Sequence, residues 1–380
     1  MGPLEGIRIV EMAGIGPGPF CGMLLADMGA EVVRVDRLTA SGLGVDIPVR
    51  YDLFNRNKRS IAVDLKSPEG VRAVLRLIGK ADILIEGFRP GVMEKLGLGP
   101  EPCLALNPRL VYGRMTGWGQ DGPLSKAAGH DINYIALTGA LDAIGPAGGP
   151  PVPPLNLIGD FGGGSMYLAM GVLAAHIEAL RSGKGQVVDA AIVDGTAGLM
   201  TMFHAFRQMG AFRTRRGSNL LDGGAPFYGT YETADGKYVA IGALEPKFYD
   251  EMIARLGLQG EDLPAQYDTT GWPRLKSRFE ELFRSKTRDE WCAILENTDA
   301  CFAPVLNLDE AQVHPHMAAR GIYPSVDGVV NSAPAPRFGR TPTSIASTAT
   351  APGADTAAIL DSFGFDAAEI AQLKAAGVTA

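Results

Sequence analysis

Short apolar runs alternate with helix-length patterns through the first 200 residues of the chain. Six runs read as strands, at 7–12, 31–36, 61–65, 81–85, 109–112 and 186–192. Helical patterns lie among them at 19–28, 68–80, 91–96 and 165–180. Strands that alternate with helices pair in parallel through right-handed crossovers. This part therefore predicts an α/β fold, a Rossmann-like large domain with a mainly parallel sheet.

The rest of the chain predicts a second, smaller α/β domain. Strand patterns at 228–232 and 238–241 flank an Asp235-Gly236 turn, which indicates a hairpin. Helical patterns follow at 247–256, 274–285, 288–297 and 366–376, and the last is expected to pack back onto the first domain. A length of 380 residues also favours two domains. The predicted boundaries are 1–200 for the large domain, completed by 325–380, then 201–225 for a linker, 226–305 for the small domain and 306–324 for a return linker.

Composition and charge limit the partners. A net charge of −7 argues against nucleic acid as the main partner, because binding to phosphates needs a basic surface. The four cysteines, Cys21, Cys103, Cys292 and Cys301, lack the spacing of a disulfide framework or a zinc site. No run approaches the roughly 20 apolar residues of a membrane span. No signal peptide or peroxisomal address is recognisable, so we expect a cytoplasmic protein.

A glycine-rich turn at 14–20 follows the first predicted strand, where dinucleotide-binding folds carry their phosphate loop. Pro19 stands where the third small residue of that fingerprint is needed. Pro17 and Pro19 also lack the amide hydrogens that would bind a pyrophosphate. The turn therefore favours a rigid strand-to-helix connection over a nicotinamide or flavin site.

Basic side chains are concentrated between residues 34 and 95, where 12 Lys or Arg stand against 8 Asp or Glu. Arg72, Arg76 and Lys80 fit the exposed face of a helix. Six others follow predicted strands or lie in loops, where open α/β sheets bind ligands: Arg37, Arg56, Lys58, Arg59, Lys66 and Arg89. A polyphosphate ligand is expected on this part of the first domain.

Histidine and aspartate supply the candidate acid–base groups. Of the five histidines, His176 and His204 lie inside helical patterns and are expected to be packed structural groups, while His314 and His316 have no nearby third metal ligand. The fifth, His130, lies just before an apolar helical pattern at 132–141. Asp160 lies among glycines, where it could cap the next helix or meet a bulky ligand.

Eight segments, in order, resemble the family III CoA-transferase and racemase group, also called CaiB/BaiF-like. They are 6–19 (GIRIVEMAGIGPGP), 29–37 (GAEVVRVDR), 57–66 (NKRSIAVDLK), 86–92 (EGFRPGV), 115–120 (MTGWGQ), 129–134 (GHDINY), 159–164 (GDFGGG) and 222–228 (DGGAPFY). So many ordered matches over nearly the whole chain make a chance match implausible. The resemblance implies an interlocked homodimer whose chains each have a Rossmann-like large domain and a small domain.

The resemblance also implies that CoA, as part of the substrate, binds to the large domain without a separate cofactor or a metal. The positions carried over are Arg37, Val63, Asp64, Leu65, Lys66, Gly87, Phe88, Arg89, Lys95, Gly129, Asp131, Ile132, Asn133 and Tyr134. Lys95 stands where the family commonly has arginine, so this contact keeps its charge and loses the bidentate fork.

The activity implied is a racemase or epimerase that interconverts (2R)- and (2S)-2-methylacyl-CoA thioesters by 1,1-proton transfer through an enolate. His130 and Asp160 are implied as the two acid–base groups, for the S and the R substrate respectively, and Glu245 as the hydrogen-bond partner of the histidine. Backbone amides near Asp131 are candidate donors to the enolate oxygen.

Two other functions stay open. A CoA-transferase of the same family would use Asp160 as a nucleophile and would not need His130. A non-catalytic acyl-CoA-binding protein would not need to retain His130, Asp160 and Glu245 together. An apolar, Met-rich helical pattern at 199–209 indicates core, a dimer interface or an adaptable wall for acyl chains.

Overall fold

The computed structural model describes residues 2–39, 42 and 44–380. The chain forms two compact units. The first unit comprises Met1–Thr138, Leu155–Leu199 and Gly321–Ala380, and the second comprises Gly139–Pro154 and Met200–Arg320. Residues 139–154 lie within the predicted large domain and nevertheless cluster with the second unit.

A six-stranded sheet with only parallel pairings forms the centre of the first unit. Its strands are β1 (Arg8–Met12), β2 (Glu31–Asp36), β3 (Lys58–Ala62), β4 (Ile83–Glu86), β5 (Val111–Thr116) and β6 (Gln186–Ala191). The spatial order β3-β2-β1-β4-β5-β6 is that of the Rossmann fold. The predicted α/β class and its parallel sheet are confirmed.

Helices cover both faces of this sheet. The first-unit helices before the C-terminal region are α1 (Pro17–Asp27), α2 (Pro68–Ile78), α3 (Val92–Lys95), α4 (Pro100–Leu106), α5 (Asp131–Leu137), α7 (Met166–Ser182) and α8 (Ile192–Leu199). Ser67 caps α2 by accepting the amide of Glu69, and Pro68 occupies its first position, as the sequence predicts. α2 and α4 contribute to one buried cluster, and α1 and α7 to the other.

Two strands are displaced from their predicted positions. β3 ends at Ala62 rather than Leu65, because Val63 pairs with Thr379 and the amide of Asp64 donates to Val378. β5 runs on to Thr116 through Arg114, whose charge hid the strand pattern. That guanidinium is buried against Glu86 and Glu94, so an ionised side chain is accommodated in a central strand.

The C-terminal region completes the first unit. It contributes α15 (Thr356–Ser362) and α16 (Ala367–Ala375), preceded by the short hairpin β10 (Ser325–Val326) and β11 (Val329–Val330). Ile359, Leu360 and Phe363 are almost fully buried in the cluster that also contains Val35 and Ile61 of the sheet. Ile370 and Leu373 of α16, in the helical segment predicted at 366–376, pack against the same cluster.

One continuous helix of the described chain, Leu157–Ser182, is long and apolar enough to cross a membrane, a candidate that the sequence patterns did not indicate. Its first part is a π-helical segment, Leu157–Ser165, and its second part is α7. α7 packs on β5 and β6, and its residues Leu168, Val172 and Ala175 lie in the core. A core helix of an α/β layer passes the same test, so this helix is no clear membrane span.

The second unit has a three-stranded antiparallel sheet in the order β7-β8-β9. Its strands are β7 (Tyr228–Glu232), β8 (Tyr238–Gly242) and β9 (Phe302–Val305), and its helices are α6 (Ala140–Ala143), α9 (Thr201–Gln208), α10 (Pro246–Arg255), α11 (Trp272–Phe283), α12 (Arg288–Leu295), α13 (Leu308–Val313) and α14 (Pro315–Ala319). The predicted hairpin is confirmed, with Gly236 at φ 70° in its turn. Aromatic side chains, among them Phe227, Phe279 and Trp291, fill the core of this unit.

Candidate active site

Most residues carried over as CoA contacts follow the carboxyl ends of strands in the first unit. Arg37 follows β2, Val63–Lys66 follow β3, Gly87–Arg89 follow β4, and 129–134 lie beyond β5. The carboxyl ends of parallel strands meet at one edge of the sheet, which is where open α/β folds bind ligands. Lys95 ends α3 and is exposed, as are Arg37, Lys66 and Arg89.

His130 is held at the start of α5 by backbone geometry. Its extended backbone immediately precedes the helix, and its amide donates to Oδ1 of Asn133 at 3.0 Å. The carbonyl of His130 accepts the amide of Asn133 at 2.8 Å. The helix is shorter than the predicted 132–141 because Gly139 adopts a left-handed φ of 80°. The imidazole thus lies on an exposed residue at a fixed helix end.

Asp160 lies on the π-helical segment, a rare geometry that is frequent at functional sites. Its Oδ2 accepts a hydrogen bond from Nδ2 of Asn156 at 3.2 Å. Its backbone amide donates to Oδ1 of Asp131 at 2.7 Å. The alternative role of Asp160 as the N-cap of α7 is wrong, because helical backbone continues from this residue through Ser165 into α7.

The glycine-rich turn of the first strand lies against this carboxylate. Gly16 has a φ of 68°, and a Cβ at this position would lie 3.3 Å from Oδ2 of Asp160. Glycine suits this position for two reasons: it tolerates the left-handed backbone of the turn before α1, and it leaves room for the carboxylate of Asp160. The turn that resembles a dinucleotide fingerprint borders a candidate catalytic group.

Three aromatic rings form a partly buried cluster next to Asp160. The rings of Phe20 and Phe161 have centroids 4.6 Å apart, and Phe54 meets both edge-on at 5.4 and 5.6 Å. These rings form an apolar wall beside the backbone that carries Asp160.

Burial raises the pKa of the Asp160 carboxyl above its usual range. The hydrogen bond from Asn156 and the charge of protonated His130 oppose this rise, whereas the negative charge of Asp131 adds to it. The two predicted acid–base groups are linked through the chain, because the Asp160 amide donates to Asp131, the residue that follows His130. A carboxyl with a raised pKa is better suited to return a proton than an exposed aspartate.

Tyr134 of α5 closes the loop that carries His130. Its hydroxyl donates to the carbonyl of Gly129, and its ring meets Trp118 edge-on at 4.7 Å. A Cβ on Gly117 would lie 2.0 Å from the tyrosine ring, so only glycine fits there. Burial raises the pKa of Tyr134, and the charge of Arg89 opposes that rise.

A buried carboxylate shapes the Gly87–Arg89 loop. Glu86 accepts the amide of Phe88 at 2.8 Å and Nε of Arg114 at 2.9 Å. Arg114 also donates to Oε1 of Glu94 at 2.8 Å. This network connects the ends of β4 and β5 to the loop expected to bind CoA.

Three basic side chains in the region predicted to bind the ligand form ion pairs, and two of these pairs are buried. Arg56 pairs with Asp27 at 2.6 Å, and Lys58 pairs with Glu11 at 2.7 Å. Arg59 pairs with Glu31. The interpretation of Arg56 and Lys58 as phosphate contacts is wrong, because each is buried against a carboxylate, Asp27 of α1 or Glu11 of β1. Arg59 stays partly exposed, and its contact with a phosphate stays a prediction.

Glu245 lies in the second unit, at the residue before α10. It is exposed, and its backbone carbonyl accepts the amides of Phe248 and Tyr249. None of the described residues donates a hydrogen bond to its carboxylate. Its predicted bond to the catalytic histidine stays a prediction.

Asn156 and the side chain of Asp131 are the site features that sequence reasoning did not identify. Asn156 precedes Asp160 by four residues, a spacing that brings side chains together on a helix. The surrounding pattern, with Pro153 and Pro154 just before it, did not predict a helix at that point. The helical start at Leu157 is what makes the spacing meaningful.

Comparison with known proteins identifies the family. The model of CoA-transferase family III matches residues 4–356. The alpha-methylacyl-CoA racemases of Mus musculus and Homo sapiens are 48% and 47% identical to this chain, and cover 97% and 98% of it with 96% of their own length. The crystal structure of a CaiB/BaiF family protein from Brucella suis superposes with a TM-score of 0.82 at 26% identity, covering 95% of this chain and 99% of its own. The chain belongs to CoA-transferase family III.

Proposed function

We propose that this chain is a 2-methylacyl-CoA racemase, which interconverts (2R)- and (2S)-2-methylacyl-CoA thioesters. The observation that carries the proposal is identity of 47–48% over nearly the whole chain to two alpha-methylacyl-CoA racemases. The geometry of the first unit agrees, because the amide of Asp160 donates at 2.7 Å to Asp131, the first residue of the helix that His130 precedes.

The reaction proceeds through a planar enolate. One group removes the α-proton and the other returns a proton to the opposite face, which inverts the configuration. His130 is the base for the S substrate and Asp160 the base for the R substrate. Each group is the acid when the other is the base. In each turnover the α-carbon therefore loses one proton to one group and gains one proton from the other.

The enolate oxygen needs a hydrogen-bond donor. The first amides of a helix have no acceptor within the helix, so the amides of Asp131 and Ile132, the first two of α5, can serve a ligand. We assign the stabilisation of the negative charge on the enolate oxygen to a hydrogen bond from the amide of Asp131. This chemistry draws on side chains and amides, so CoA enters as part of the substrate and the scheme calls for no redox cofactor or metal.

The CoA moiety lies along the carboxyl edge of the sheet in this proposal. Arg37, Lys66, Arg89 and Lys95 are exposed cations that can meet its phosphates. Glu245 completes the site by accepting a hydrogen bond from His130, and it comes from the facing chain of an interlocked homodimer. Exposed apolar side chains of α7, Met166, Met170, Ile177 and Leu180, support burial of that helix by a partner.

The test is incubation of a single-enantiomer 2-methylacyl-CoA with the protein in deuterated water, without any added acid acceptor. Inversion of configuration with uptake of one α-deuterium is the expected result. His130→Ala and Asp160→Ala should each lose most of this activity and still bind CoA. Strong activity in either variant would contradict the assignment of the pair.

The same assay separates the family's other chemistry. If neither inversion nor deuterium uptake occurs, free carboxylic acids are added and transfer of CoA to them is followed. Transfer that disappears in Asp160→Ala would make Asp160 a nucleophile and overturn the racemase proposal. Binding of CoA with no turnover of either kind would indicate an acyl-CoA-binding protein.

A further inference from the structure

The carboxylate of Asp131 is buried and has no part in the proton transfer described above. Asp131 is the first residue of α5 and is 7% exposed. Its Oδ1 accepts the amide of Asp160 at 2.7 Å. Its Oδ2 is buried without a hydrogen-bond partner among the described residues. A half-satisfied buried carboxylate is costly, so its presence calls for an explanation.

Gly159 shows how closely the π-helical segment approaches α5. A Cβ at this position would lie 2.2 Å from Oδ1 of Asp131 and 2.9 Å from Cγ2 of Ile135. Backbone and carboxylate can therefore meet only because residue 159 has no side chain. This contact sets the distance between α5 and the π-helical segment next to Asp160.

We propose that Asp131 is a positioning residue whose carboxylate fastens the π-helical turn of Asp160 to the helix start that carries His130. The two acid–base groups are then held in one rigid arrangement, as the transfer of a proton across an enolate requires. This inference rests on the proposed function, because it assigns a task within that reaction. The role differs from that of the Asp131 amide, which any residue but proline could supply.

Asp131 also acts on Asp160 through its charge. Within the described residues, the pKa of the Asp160 carboxyl is affected by its burial and by Asn156, Asp131 and His130. The charge of Asp131 raises the pKa of Asp160, so removing that charge should lower it. The Tyr134 phenol of α5 also faces Asp160 and is neutral near pH 7.

The other charged side chains of the elements packed on this segment are engaged elsewhere. Asp27 of α1 pairs with Arg56, and Arg114 of β5 pairs with Glu86 and Glu94. Asp189 of β6 accepts the amide of Gln120, and the charge of Asp194 in α8 raises the pKa of Asp189. The charged or titratable residues of α7 lie in its C-terminal half: His176, Glu178 and Arg181. The pH response of Asp160 therefore reports mainly on Asp131 and His130.

The first experiment compares Asp131→Ala with Asp131→Asn in the deuterium-exchange assay. The asparagine keeps an oxygen that can accept the amide of Asp160, so it should retain more than about a tenth of kcat. The alanine removes the fastening and should lose about 100-fold in kcat, the scale of a 1 Å misplacement, with KM within about threefold. Asp121→Ala, an exposed aspartate of the same unit, is the matched control and should keep the parent kcat.

The second experiment measures the pKa of Asp160 directly, by NMR titration of carboxyl-¹³C-labelled aspartate assigned with Asp160→Asn. The pKa of Asp160 should be lower in Asp131→Asn than in the parent, and the acid limb of kcat should move to lower pH with it. This readout needs no turnover. A parent protein that exchanges no deuterium would end the proposed function, whereas an unmoved Asp160 pKa would end this inference.

Further outcomes also decide the matter. Parent-like kcat in Asp131→Ala, equal kcat in the alanine and asparagine variants, or a loss of thermal stability without a change in kcat would overturn the positioning role. If Asp131→Ala does not fold, Gly159→Ala replaces it, because its methyl group displaces the carboxylate from the opposite side. A kcat about 100-fold below the parent supports the proposal, and a parent-like kcat refutes it.

Discussion

Asp160, the proposed acid–base group, shows how a single residue is placed at a cost to the folded state. Asp160 is partly buried between the glycine-rich turn and the aromatic cluster, and burial raises its pKa. A raised pKa in the folded state means that the ionised form destabilises folding. The stability contribution of Asp160 is fully present below its unfolded pKa and is lost as the pH rises through its folded pKa.

Asp160→Asn should therefore abolish racemisation and leave the protein at least as stable as the parent at pH 7. The amide removes the buried charge and keeps an oxygen that can accept the hydrogen bond from Asn156. The gain in Tm should shrink as the pH falls through the raised pKa of the folded carboxyl, and should be lost by about pH 4, the pKa of an ordinary aspartate. Thermal unfolding of both proteins between pH 4 and 8 measures this. A variant that is less stable than the parent at pH 7 would contradict the pKa direction.

At the scale of elements, a buried ion pair connects strands that are not neighbours. Lys58 of β3 reaches across β2 to both carboxylate oxygens of Glu11 on β1, at 2.7 and 2.9 Å. It also donates to the carbonyl of Pro19 in α1 and to the side chain of Asn55. Burial raises the pKa of Glu11 and lowers that of Lys58. The pair orders the segment around Phe20 and Phe54, which forms the aromatic wall.

Lys58→Met should lower the free energy of unfolding by about 3–5 kcal/mol, because it leaves the Glu11 charge buried and unpaired. The double variant Glu11→Leu/Lys58→Met should recover much of that loss, since neither charge remains. Urea denaturation followed by circular dichroism compares them. Equal losses in the single and double variants would show that packing, not the unpaired charge, sets the cost.

At the scale of the whole molecule, two separate cores are built from one chain that returns to its starting unit. The first unit is not complete until α15 covers the sheet, more than 290 residues after β3. The hydroxyl of Thr356, the first residue of α15, accepts a hydrogen bond from the amide of Ala62 in β3 at 3.3 Å. The second unit has its own aromatic core.

Phe363→Ala should destabilise the first unit by about 3–5 kcal/mol, because it leaves a cavity in a fully buried cluster. Leu308→Ala, at a side chain that is 83% exposed in the second unit, is the control and should change stability by less than about 0.5 kcal/mol. Urea denaturation measures both. A Phe363→Ala variant as stable as the control would mean that α15 does not complete the core.

The sequence by itself determined the class of fold and the order of its elements, because the spacing of apolar residues encodes which faces are buried. Strand–helix alternation predicted the parallel sheet, the Asp235-Gly236 turn predicted the hairpin, and family resemblance marked His130 and Asp160. These are local signals, carried by neighbouring residues.

Only the tertiary structure decided which charged groups are partners. The sequence placed Arg56 and Lys58 among the expected ligand contacts. In the folded chain they pair with Asp27 and Glu11, which are 29 and 47 residues away. The carboxylate of Asp131 likewise meets the amide of Asp160 across 29 residues. A charge in a sequence has no fixed meaning, because its energy depends on burial and on the group it faces, and both are properties of the folded chain.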